Sequence, residues 1–168
     1  VFGYNGDDEK IKNAVKIAND TGLIGYICEQ IMSHDMYDYS NVTSEYISQS
    51  LKEFIFTSAI EIRVYFPRWK YSKSIGYYSS SEPNVINING YKVLDIEQMV
   101  SNFHHENCHA WNDWNKITNV HHNGNSSIGK ENTLHYSVNR YVYEYLNYEP
   151  NKYKPSFFRR ILNFLVRR

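Results

Sequence analysis

Histidines four residues apart on a helix project from one face about a turn apart, which lets two imidazoles share one tetrahedral zinc ion. His105 and His109 have this spacing in the string His105-Glu106-Asn107-Cys108-His109. Glu106 stands beside the first of them, where a carboxylate can take a proton from a water that the metal has acidified. It is the candidate general base, and hydrolysis of an amide is the chemistry such a trio would perform. Two surface histidines and a solvated glutamate would spell the same string. What favours a site is its context, a capped amphipathic helix that follows a sheet.

An open catalytic zinc site takes three protein ligands and keeps one position for water, so a third ligand has to come from downstream. The candidates are Asp113, His121, His122, Glu131, His135 and Glu144. Positions 112 and 115 are both Asn, so the longer motif with a glycine and a third histidine is missing and the metzincin arrangement is excluded. Glu131 is preferred because it opens the next long helical pattern, which can return antiparallel to the first; Glu144 is its main rival. A first-turn glutamate favoured by the helix dipole is the bland alternative for Glu131. His135 and Asn139 share its helix face, and either is placed to orient a metal ligand. The donor to an oxyanion is left open between Tyr153 and His135.

The elements that must position these groups are legible from periodicity. A strand is expected over residues 1–4. Asp7 or Asp8 then caps a helix with Ile11, Ala14, Val15 and Ala18 on one stripe, stopped by Gly22. A second helix carries Ile24, Ile27, Cys28 and Ile31. The polar, Tyr-rich stretch 35–50 shows no clear period and reads as a loop. Ile60, Ile62, Val64 and Phe66 alternate with polar neighbours as a half-buried strand ending at Pro67, and short strands follow over 75–78 and 85–89. The last of these, directly before the motif helix, is expected to be the sheet edge along which an extended substrate would lie. Asp95 caps the motif helix with Gln98 three residues on, and Ile96, Met99, Val100, Phe103, Ala110 and Trp114 form its stripe. A third helical pattern spans about 130–146 and ends before Pro150.

At 168 residues the chain suits one domain, 1–168, of α+β class: a short twisted sheet packed on helices, with a cleft between motif helix and edge strand. Lys+Arg and Asp+Glu are equal at 18 each, so no net field recruits nucleic acid. No apolar run is long enough to span a bilayer, and a soluble form, expected to be a monomer, follows. Cys28 and Cys108 are too few for a disulfide scaffold and are read as thiols. The Phe- and Leu-bearing basic tail, 157–168, reads as a stripe that packs on the core rather than as a membrane anchor.

The segment His105-Glu106-Asn107-Cys108-His109-Ala110, the step Gly129-x-Glu131, and Asn139-Arg140 eight residues later resemble the small zinc peptidases delivered as bacterial effectors, the NleD-like group, and the metallopeptidase domains that end Rhs-type toxins. Gly6-Asp7-Asp8-Glu9-Lys10-Ile11, with Ala14 and Gly22, is similar to their opening segment. Polar Asn107 and Cys108, and apolar Val138, depart from the family pattern. The resemblance implies a minimal zincin fold with its metal site on a central helix, Zn2+ held by His105, His109 and Glu131, and Glu106 as the catalytic residue of an endopeptidase. It further implies a toxin or effector that is secreted or delivered into a target cell, a protein or peptide substrate, and a cognate inhibitor or immunity protein. The alternatives are a zinc-stabilised protein that grips a partner without catalysis, and a zinc amidase acting on cell wall.

Overall fold

The computed structural model describes residues 1–33, 43–67, 75–92, 95–116 and 134–147. In chain order the elements are β1 (Phe2–Gly3), α1 (Glu9–Ala18), α2 (Thr21–Ser33), α3 (Ser44–Thr57), β2 (Ile60–Tyr65), β3 (Gly76–Tyr78), β4 (Val85–Asn89), α4 (Ile96–Trp114) and α5 (Leu134–Tyr145). The architecture is α+β, with five helices and a four-stranded sheet of order β1-β2-β4-β3 among the described residues.

Local chemistry sets most of the element ends. The Asp8 side chain accepts from the backbone N–H groups of Lys10 and Ile11 and starts α1. Asp20 does the same for Gly22 and Leu23. Gly22 therefore belongs to the first turn of α2 rather than stopping α1, which ends at Asn19. Asn19 is doubly used: its carboxamide takes the N–H of Phe2 and donates to the Phe2 carbonyl, so the end of α1 also fixes β1.

Part of the stretch expected as a loop is helix α3. Thr43 caps it by accepting from Tyr46 N–H, and Ile47, Leu51, Phe54 and Ile55 bury its inner face. Residues 34–42 of that stretch lie outside the described residues.

The sheet is parallel through β1, β2 and β4, with β3 antiparallel on β4. β4 is consequently an interior strand, buried along its whole length, and among the described residues the edge beside the motif helix is β3. The expectation that β4 is the edge fails because the chain doubles back: the turn from Ser79 to Asn84 returns it so that β4 enters between β2 and β3. The Asn89 N–H bonds to the Ile75 carbonyl at 2.8 Å. In an antiparallel ladder the next residue along turns its backbone groups the other way, so Gly76 and Tyr78 direct theirs away from β4.

One sheet face, carrying Ile60, Ile62, Ile86 and Ile88, shares a core with Phe103, Trp111, Leu23, Ile27 and Val142. The centre of that core is α4, packed against α1, α3, α5, β3 and β4. Trp111 is the buried tryptophan of α4, donating its Nε1–H to Ser50 Oγ at 3.0 Å, whereas Trp114 is exposed and rests on Phe54. Both cysteines are free thiols and both are buried. No helix among the described residues is long and apolar enough to cross a membrane.

Candidate metal centre

The motif lies on α4, whose first turn is fixed by Asp95 accepting from Gln98 N–H at 2.8 Å. From this start the helical period puts Phe103 and Cys108 in the core and leaves His105 and His109 half-buried, side by side. Their ring centroids are 5.2 Å apart with an interplanar angle of 68°. With Zn–N bonds of about 2.0–2.1 Å and a tetrahedral angle, two imidazoles on one zinc ion would have centroids about 5.2 Å apart. The pair already has the separation that a shared zinc ion requires.

His105 is held from a second helix. Its Nδ1 is 3.2 Å from the Asn139 carboxamide nitrogen on α5, and the Asn139 oxygen accepts from Ser101 Oγ at 3.1 Å. Of the two residues expected to orient a ligand, Asn139 is thus the one seen against a histidine. The side chain of His135 lies outside the described residues.

Glu106, the next residue round the helix from His105, is turned toward β3. It is buried, and its carboxylate accepts from the backbone N–H of Tyr78 and from the side chain of Asn102. Burial outweighs these two donors and pushes its pKa up to about 7. A carboxyl poised there can both take and give a proton near neutral pH. Tyr78 is tied to α4 a second time, its hydroxyl donating to Asp113 Oδ2 at 2.8 Å, and burial with that bond pushes the phenol well above its usual range.

Neighbouring titratable groups are fixed in other roles. His104 faces α1 and β1, edge-on to Phe2 at 5.5 Å and bonded to the Ala18 carbonyl, and burial lowers its pKa to about 4. Nothing in the spacing of the motif sets this histidine apart from its neighbours except its place on the apolar stripe, one residue after Phe103. Burial pushes the Cys108 thiol far up, away from the thiolate that a metal would need.

Among the described residues no group of three or more His, Cys, Asp or Glu side chains gathers around a common point. Asp113 is engaged by Tyr78, and Glu144 accepts from Arg140 Nε at 2.8 Å and bonds Tyr26. Neither joins His105 and His109. Glu131, His121, His122 and Tyr153 lie outside the described residues. No family model, no curated protein and no solved structure matches the chain.

Proposed function

We propose that the chain is a zinc-dependent endopeptidase in which His105, His109 and Glu131 hold the metal and Glu106 is the general base. The observation that carries this reading is the pair of His105 and His109 rings at the separation one zinc ion needs, with a buried carboxyl between them in sequence. Glu131 is favoured as third ligand because it lies three residues ahead of Leu134, where the described part of α5 begins, and α5 packs along α4. Asp113 and Glu144, the described rivals, are committed elsewhere.

Bound zinc would acidify a water and polarise a peptide carbonyl. The protein's own part is proton handling. Glu106 accepts the water proton at its carboxylate and returns it to the leaving amine nitrogen, two transfers that suit a group with a pKa near 7. The substrate class is protein or peptide. Delivery into a target cell and control by a cognate inhibitor belong to the same reading.

A continuous apolar core of several elements surrounds α4, so the fold has its own source of stability, which favours a catalytic over a structural zinc. Chelation should then abolish activity while leaving the fold intact; a zinc that holds the fold together would melt it on removal. Terminal-peptide profiling of lysate treated with the parent or with Glu106→Ala tests reaction and substrate together. New termini present with the parent and missing with the variant are expected. Identical profiles, or purified protein without stoichiometric zinc, would sink the proposal.

A further inference from the structure

Asn102 sits one turn before Glu106 on α4, and three observations at this position point the same way. Its side chain donates to the Glu106 carboxylate, the second donor beside Tyr78 N–H. Its Oδ1 is buried without a hydrogen-bond partner, an arrangement that costs stability and calls for an explanation. That same oxygen lies 2.4 Å from where a Cβ on Gly76 would be, and the Asn87 carbonyl is 2.8 Å from that point. A side chain at position 76 would push the carboxamide off the edge strand.

We infer that Asn102 is the positioning residue for the general base, and that Gly76 is glycine so that the Asn102 carboxamide can lie flat over β3. A carboxylate accepts only donors, so the amide nitrogen must face Glu106 and the oxygen must face the strand. The Oδ1 left without a partner follows from this orientation. Packed over Gly76, the carboxamide cannot rotate away, and Glu106 is held between a helix donor and a strand donor instead of swinging between rotamers. This role rests on the endopeptidase reading. Asn102 does not touch substrate in this scheme; it acts through Glu106.

A double-substitution cycle tests the inference, with a mixture of quenched fluorescent peptides as substrate and zinc supplied. Asn102→Ala should lower kcat tenfold or more with KM and zinc stoichiometry unchanged. Gly76→Ala should do the same by displacing the carboxamide, and adding Gly76→Ala to Asn102→Ala should cost nothing more. Asn102→Asp, of the same size but unable to donate, should be no better than Asn102→Ala. A second readout needs no turnover. In metal-free protein the Asn102 side-chain amide protons, assigned by their loss in Asn102→Ala, should shift in the NMR spectrum of Glu106→Ala, and this decides the contact even if a kinetic variant folds poorly.

Full activity in Asn102→Ala, additive losses in the cycle, or unshifted amide protons would overturn the inference while leaving the peptidase reading standing. An inactive parent would overturn both.

Discussion

The carboxamide of Asn139 bridges two residues of the motif helix, 3.2 Å from His105 Nδ1 and 3.1 Å from Ser101 Oγ, so a single α5 side chain braces the His105 ring. A carboxamide can present either atom to the ring. With its nitrogen on Ser101 Oγ, its oxygen receives an Nδ1–H from His105, and Nε2 keeps the lone pair that a metal needs.

Removing that partner should loosen the metal without harming the fold. Asn139→Ala is expected to weaken zinc binding about 10–100-fold, the usual cost of losing such an orienting group. Asn139→Asp, which can still accept the Nδ1–H of His105, should bind zinc at least as tightly as the parent. Competition against a chromophoric chelator reads both, and equal affinity in parent and Asn139→Ala would remove Asn139 from the site.

The third ligand can be settled by comparing four variants under the same chelator. Glu131→Ala should lose zinc together with His109→Ala, whereas Asp113→Ala and Glu144→Ala should keep it, because their carboxylates are spent on Tyr78 and on Arg140 and Tyr26. Zinc retained in Glu131→Ala and lost in Glu144→Ala would move the ligand to the far end of α5.

Burial of Glu106 has a signature in stability. The pKa of Glu106 is raised to about 7 in the folded chain, so its contribution is full below its unfolded value and is lost as pH rises through 7. His104 runs the other way: with its pKa lowered to about 4, its contribution is present above 6.5 and lost as pH falls through 4. The two nearly cancel in the parent. In metal-free protein, Glu106→Gln should raise stability at pH 8 by up to about 3 kcal/mol. It should also expose the acid sensitivity of His104 as a melting temperature that falls between pH 6.5 and 4. Thermal unfolding across pH 4–8 checks both, and an unchanged melting temperature at pH 8 would argue against a buried, strained carboxyl.

Trp111 anchors the underside of the site. Trp111→Phe removes the Nε1–H bond to buried Ser50 Oγ and leaves a void where the larger ring stood. A loss of about 2 kcal/mol is expected. Zinc affinity should not change, since Trp111 faces away from the histidine pair. Urea unfolding and chelator competition on the same sample separate the two effects.

What was legible in the sequence was local. Asp8 and Asp95 announce α1 and α4 by side-chain chemistry within one turn, and Ile60 to Val64 announce β2 by strict alternation. His105, Glu106 and His109 were recognisable because their mutual spacing is itself the signal. What escaped was whatever depends on partners far along the chain. The inward insertion of β4 is a matter of strand order, to which periodicity is blind, and so the wrong edge was expected. Helix α3 hid its period under tyrosines and serines, although Thr43, Ile47 and Leu51 were sufficient to find it. Asn102 and Gly76 carry no motif; only the packing of the Asn102 carboxamide into the space that a side chain at position 76 would fill reveals them as a pair. Asn139 was narrowed to a helix face by counting, and only packing could choose it.

The helix that bears His105 and His109 receives its support from both sides of itself in the chain. Tyr78 comes before it, and Asn139 follows it by more than a full helix length. As the polypeptide leaves a ribosome or threads through a narrow channel, the five-residue string emerges well before α5 can dock. His105 then lacks the Asn139 contact that braces its ring. Any fragment that carries the string but lacks α5 therefore keeps the sequence signal without the Asn139 contact that fixes its first histidine.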